Sequence, residues 1–225
     1  MPFTSVLGAS SVIKPGVCTS STRPSAPYVG QLVFETDTNR LVVFTASGWV
    51  YQTATGAPGL VHITSGSFTS ATSVSLPTNT FSATYRNYRI FLQITSLTAD
   101  STLTMRLRAS GSDNTTANYR TAGVGITSVA NTANVTGNAQ TSWNFAEQDA
   151  GLNGYVLVCD VFSPQVATFT ALTAQYGYFA QTPAGYQSVA TSNHFDASTQ
   201  FDSLSFISST GSLTGVYRVY GYADS

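Results

Sequence analysis

Tyr88-Arg89-Ile90-Phe91-Leu92-Gln93-Ile94-Thr95 and, shortly after it, Thr102-Leu103-Thr104-Met105-Arg106-Leu107-Arg108 decide how this chain folds. In the first run Tyr88, Ile90, Leu92 and Ile94 alternate with Arg89, Phe91, Gln93 and Thr95, and in the second Leu103, Met105 and Leu107 alternate with polar neighbours. A period of two places alternate side chains on opposite faces of a strand, so each run makes a strand with one buried face. Outward from this pair, strand patterns recur at Val61 to Ser65, Ser67 to Leu76, Tyr119 to Val129, Thr141 to Phe145, Tyr155 to Phe162, Val166 to Ala174, Gln187 to Asn193, Ser203 to Ser208 and Gly215 to Tyr222. Gly, Asn, Pro and Ser turns separate them, the pattern of a two-sheet sandwich with jelly-roll connectivity. Thr80 to Tyr85 is the best candidate for a short helical turn.

Composition points the same way. Of 225 residues 42% are hydrophobic and 8% charged, against roughly 25% charged in ordinary soluble domains. Ser, Thr, Asn and Gln carry the polar surface, and they fit turns and strands better than helix interiors. The formal net charge is −1 and Lys14 is the sole lysine, so there is no basic field for nucleic acid or anionic membrane. No apolar run approaches the roughly 20 residues that span a bilayer, the densest being broken by Asp160. Lys14 and Pro15 stand where the apolar part of a secretory signal would run. Two cysteines, Cys18 and Cys159, make no disulfide framework, which fits a reduced assembly compartment.

The organisation along the chain reads as an extended arm over 1–30, a small β-meander over 31–52, a linker over 53–59 and the sandwich over 60–225. Pro15, Pro24 and Pro27 keep the arm extended. Gln31 to Thr36 and Arg40 to Thr45 form a hairpin across Asp37-Thr38-Asn39, and Trp49-Val50-Tyr51 adds a third strand. So small a sheet is marginal in water and requires a second surface.

Catalytic chemistry finds little footing. His62 and His194 lie far apart in or beside strands with no nucleophile elbow nearby. His194 and Asp196 offer two metal ligands, too few for a site. Glu147 and Asp149 form the nearest carboxylate pair, with the spacing of a glycoside-cleaving pair or a calcium contact, and solvated loop acids are the simpler reading. Asp113 and Asn114 are a weaker calcium suggestion. No catalytic, cofactor or metal residue is therefore expected, and the protein is expected not to be an enzyme.

Aromatics say more. Tyr176, Tyr178, Phe179 and Tyr186 flank the Gln181–Gly185 turn, and Tyr217, Tyr220 and Tyr222 close the chain. On a surface so low in charge, tyrosines suit a sugar or a protein interface, with core filling the alternative. Tyr176, Tyr178 and Tyr186 are the candidate glycan or subunit contacts. Arg89, Arg106 and Arg108 are placed on the polar face of two strands, solvated or paired with Asp100 or Asp202.

Arg23-Pro24-Ser25-Ala26-Pro27-Tyr28-Val29-Gly30-Gln31-Leu32-Val33-Phe34-Glu35-Thr36-Asp37-Thr38-Asn39-Arg40-Leu41-Val42-Val43-Phe44, followed by Gly48-Trp49-Val50, resembles a module near the N-termini of tailed-bacteriophage fibre, minor tail and other virion surface proteins. The chain departs from that pattern at Thr45-Ala46, where many relatives carry an Asp-Gly or Asn-Gly turn. The resemblance implies a homotrimeric virion protein, assembled in the host cytoplasm and displayed on the particle surface. Its N-terminal segment would engage tail or capsid proteins through Arg23, Pro24, Phe34, Glu35, Asp37, Phe44 and Trp49, and its sandwich would face outward toward host glycan. A capsid-bound head fibre or decoration protein is the alternative, and a glycan-degrading depolymerase a more distant one.

Overall fold

The computed structural model describes residues 15–52, 59–127, 132–148, 150, 154–181 and 184–223. The chain divides into two compact units, Met1–Ala57 and Pro58–Ser225.

The first unit is a four-stranded sheet in the order β1 (Gly16–Cys18), β2 (Leu32–Glu35), β3 (Arg40–Thr45) and β4 (Gly48–Tyr51). The hairpin at Asp37-Thr38-Asn39 forms where its turn chemistry predicts, with Asn39 at φ 54°, a left-handed conformation that Asn tolerates. β1 is an addition to the expected meander. It pairs parallel to β2, Val17 opposite Phe34, and a triplet of residues is too short to show a period of two.

The second unit contains β5 (Gly59–Ala71), β6 (Ser73–Ser75), β7 (Asn87–Leu97), β8 (Ser101–Ala109), β9 (Ser112–Asp113), β10 (Tyr119–Thr127), β11 (Thr132–Gln140), β12 (Trp143–Gln148), β13 (Tyr155–Phe162), β14 (Thr170–Gln181), β15 (Ala184–Phe195), β16 (Ser203–Ser208) and β17 (Leu213–Ala223). One sheet runs β11-β10-β15-β14-β13-β7-β17-β5; the other runs β12-β8-β16-β6, with β9 paired to β8. Strands β5, β6, β7, β8, β12, β13, β16 and β17, numbered one to eight, give the sheet orders 1-8-3-6 and 2-7-4-5. That is the connectivity of a jelly roll, two Greek keys folded into a sandwich. The fold is all-β. Two insertions, β9 to β11 and β14 to β15, widen the first sheet beyond β13 by four strands.

The core is built by the alternation that opened the sequence analysis. Ile90, Leu92 and Ile94 of β7, Leu157 and Cys159 of β13, and Val219 of β17 face Leu103, Met105 and Leu107 of β8 and Phe206 of β16, all nearly inaccessible to solvent. Under the widened part lies an aromatic cluster. Tyr119 meets Trp143 at 5.2 Å and Phe195 at 4.9 Å, edge to face, and Phe195 meets Phe201 in the same way, an arrangement aromatic quadrupoles favour.

Three differences from the sequence reading have physical causes. Val61 to Ser65 and Ser67 to Leu76 are not separated at Gly66; β5 runs through it to Ala71, because the Tyr217 ring lies where a Cβ at Gly66 would stand, its hydroxyl 2.7 Å away. Thr80 to Tyr85 forms bends and turns rather than helix. There Thr80 donates to the Pro77 carbonyl at 2.6 Å, and the Tyr88 hydroxyl accepts from the Ser82 amide at 2.6 Å and donates to the Ser82 carbonyl at 2.7 Å, local bonds that displace the helical pattern. β11, Thr-Ala-Asn-Val-Thr-Gly-Asn-Ala-Gln, alternates only small residues, Ala133, Val135, Gly137 and Ala139, with Thr, Asn and Gln, too weak a pattern to mark a buried face, and it is held by pairing to β10.

Candidate functional site

The motif residues of the first unit separate onto two faces of its sheet. Glu35 is completely buried beside Val33 and Val42. The Arg23 side chain donates to it from the arm, and Thr38 donates at 2.8 Å from the turn. Those hydrogen bonds, Arg23 foremost, hold the Glu35 carboxyl below its ordinary pKa. Asp37 does the equivalent at the other end of the arm, accepting the Ser20 amide at 2.9 Å and the Ser20 hydroxyl, which lowers its pKa too. Phe44 and Trp49 meet edge to face at 5.2 Å, and Arg23 and Arg40 lie over the Tyr51 ring at 5.8 and 5.0 Å. Arg23, Glu35, Asp37, Phe44 and Trp49 are thus engaged within their own unit, and Pro24 lies in the arm segment that carries Arg23.

Phe34 faces the other way. By the register, Val17, Phe34 and Leu41 share one rung of the opposite face and Leu32, Val43 and Val50 the next. All six are apolar, and Val17 is 70% exposed, Val50 45% and Leu32 37%. Tyr28 and Val29 at the end of the arm are also exposed. The face is apolar and partly exposed to solvent.

In the second unit the three candidate tyrosines part company. Tyr176 and Tyr178 point into the core with Tyr155, their rings stacked at 6.3 Å. Tyr186 is 52% exposed on the outer face of the eight-stranded sheet. Its ring crosses Gly177, where a Cβ would stand 1.9 Å from the Tyr186 hydroxyl. Gly177 makes room for that ring to lie on the sheet.

Tyr186 closes one end of a trough that runs along β14 and β15. Three rungs cross it: Ala122, Ser192, Thr173 and Asp160; Val124, Ala190, Gln175 and Val158; Ile126, Ser188, Gly177 and Val156. The small and short polar side chains of β14 and β15 form a floor between β10 and β13, which rise as walls. A cavity of about 620 Å³ occupies the Asp160 end, and a second of about 330 Å³, sharing Gln175 and Ala190 with it, reaches Tyr186. At the other end, one rung past Asp160, Phe169 stands 57% exposed against His194 at 4.6 Å. Gly177 to Ala171 along β14 spans about 20 Å at the usual rise per strand residue.

The wall at Asp160 carries, with Arg89, the only charges among the described residues that line either cavity. Arg89 grips the carboxylate with Nε to Oδ1 at 2.8 Å and a terminal nitrogen to Oδ2 at 2.6 Å, and the Tyr222 hydroxyl donates at 2.6 Å. Burial pushes the Asp160 carboxyl up, but the hydrogen bonds from Arg89 and Tyr222 outweigh it and hold it below its ordinary value. Tyr222 is pushed up to about 12, by burial and then by the hydrogen bond it gives Asp160. The pair is neutral as a whole and fixed in plane.

Comparison with known proteins adds little here. No family model matches the chain, and no curated protein matches it in sequence. Among solved structures, the CBM2 module of Lactobacillus casei BL23 phage J-1 evolved Dit is 8% identical, over 76% of this chain and 81% of that one, with a TM-score of 0.23.

The remaining sequence candidates do not converge. Arg108 pairs with Asp113, and Arg106 donates to the Thr141 carbonyl, both away from Arg89 on the other sheet. His62 packs edge to face on Tyr220, and Asp196 is held by Arg120 at 2.8 Å. Glu147 sits in β12 opposite Thr102, and Asp149 lies outside the described residues. Among the described residues no three His, Cys, Asp or Glu side chains gather as a metal site. In the sequence Asp160 is visible only as the break in an apolar run, Thr173, Ser188 and Ala190 fall undistinguished within expected strands, and Gln175 lies just past the end of one. The signal available was the outer half of each alternation, which in β14 and β15 is unusually small.

Proposed function

We propose that this chain is a non-catalytic structural protein of a tailed-phage particle, displayed at the surface as a trimeric fibre or receptor-binding-type subunit. The observation that carries the reading is the division of the first unit into two faces. Residues that match the virion-module pattern, Arg23, Glu35 and Asp37, tie the arm down over one face. The other face offers Val17, Leu32, Phe34, Leu41, Val43 and Val50. Burying valine- or leucine-sized side chains is worth about 1.5–3 kcal/mol each, and a closed symmetric oligomer gives such a face an identical partner. In this reading the module anchors and assembles, and the jelly roll is what it displays.

Light scattering of the purified full-length chain at micromolar concentration tests the assembly, with a trimer expected. Labelling intact particles with antibody against the sandwich tests the location, at the tail for a fibre subunit and over the shell for a decoration protein. A chain that stays monomeric and binds no particle removes the reading.

A further inference from the structure

The geometry points to the trough along β14 and β15 as a binding site for a neutral oligosaccharide. This deepens the surface-display reading and rests on it for the source of the sugar, not for the binding itself.

The floor is the first observation. A solvent-facing strand face ordinarily favours β-branched and aromatic side chains. Here the middle of a wide sheet presents Ala190, Gly177, Ser188, Ser192 and Gln175 beside Thr173 in adjacent rungs, all but Thr173 giving up strand propensity for depth. What the depth exposes is a set of hydroxyls and one amide, groups that donate and accept equally well.

The backbone excludes a competing occupant. β14 is paired on both sides, to β13 and β15, and β15 to β14 and β10. Neither strand has a free edge, so an extended peptide cannot add to the sheet here by main-chain hydrogen bonds. Recognition must come from side chains.

Charge then selects among glycans. The Arg89 guanidinium is already engaged in plane by Asp160, and Arg120, opposite His194 at the Phe169 end, is engaged by Asp196, so among the described residues along the trough these cations are compensated and poorly placed to neutralise a carboxylate, sulfate or phosphate. The fixed pair still has accessible edges, Arg89 being 35% exposed and Asp160 17%, suited to the vicinal hydroxyls of an uncharged sugar. At the ends Tyr186 and Phe169 supply aromatic surface against which the apolar face of a pyranose ring can rest. The separation of the ends suits a short chain of sugars lying along the strands.

The test uses the full-length protein against a panel of immobilised neutral oligosaccharides of glucose, galactose, mannose and rhamnose, beside sialylated, uronic and phosphorylated ones. Binding to at least one neutral member is expected, and it should persist at high salt, since no ion pair forms. Tyr186→Ala should weaken it at least tenfold. Ala190→Leu, which fills the floor, should abolish it with the melting temperature unchanged, whereas Ser67→Leu, on the same sheet face at β5, should leave binding intact. Failure of every neutral glycan, capture of charged glycans only, or full binding by folded Ala190→Leu overturns the inference. Loss of glycan binding with the chain still found on particles sinks this inference alone; glycan binding with no particle location sinks the display reading alone.

Discussion

The buried Glu35 carboxylate is held by Arg23, twelve residues upstream in the arm. The relationship ties the arm to the hairpin, because Arg23 supplies the charge that the buried Glu35 carboxylate requires. A carboxylate taken from water is tolerable only when its charge and lone pairs are matched.

Acid should therefore open the first unit. Glu35 and Asp37 both have folded pKa values below their ordinary ones, so their contribution to stability is present above the unfolded carboxylate pKa, about 4, and is lost as pH falls through the lower folded values. The Trp49 indole NH resonance reports on this unit. It should shift toward its unfolded position below about pH 4, and Arg23→Gln should move that transition to higher pH. An acid midpoint that does not respond to Arg23→Gln would separate the pair from the stability of the unit.

At the other end of the scale stands Tyr222. Its folded pKa of about 12 exceeds the unfolded value of about 10, so its contribution is present below pH 10 and is lost as pH rises through 12. Tyrosinate absorbance, differenced against Tyr222→Phe, should show ionisation about two units late. In Asp160→Asn the value should fall only part of the way toward 10, because burial is the larger cause and survives the substitution.

Tyr119 ties two elements through its hydroxyl, which accepts the Leu107 amide at 3.1 Å and donates to the Asn114 carbonyl at 2.9 Å. Tyr119→Phe keeps the ring contacts with Trp143 and Phe195 and strands both backbone groups. A loss of about 1–3 kcal/mol is expected, read as a lower urea midpoint with an unchanged slope. A variant as stable as the parent would show that water replaces the hydroxyl there.

The two thiols should differ in reactivity. Cys159 is buried in the core and its pKa is pushed well up by that burial, while Cys18 lies partly exposed in β1. A thiol reagent should label one cysteine in the native protein and both in denaturant, because the reactive thiolate is suppressed at Cys159. Rapid native labelling of Cys159 would contradict the packing of β13.

How much of this was readable beforehand follows from what each signal needs. Inward-facing positions of β7, β8 and β13 were legible because burial on one face writes a period of two into the sequence. β9 and β11 were not, since a two-residue strand is too short to show a period, and the alternation in β11 is of Ala, Val and Gly with Thr, Asn and Gln, too small in contrast to mark a buried face. Gly66 looked like a break because a glycine's role depends on what lies over it, and Tyr217 comes from the far end of the chain. Tyr176, Tyr178 and Tyr186 are close in sequence, but strand alternation sends Tyr176 and Tyr178 inward and leaves Tyr186 on the surface.

From its sequence alone this chain was committed to β-structure, to a sandwich of many short strands and to an N-terminal hairpin, since alternation, turn chemistry and composition are local properties. The tertiary structure decided which strands became neighbours, and with that where the trough lies, which motif residues face inward, and which sheet face is left apolar and open. Those outcomes depend on pairings between distant segments, such as β5 with β17, where Gly59 pairs with Ala223, and no local pattern encodes a partner so distant.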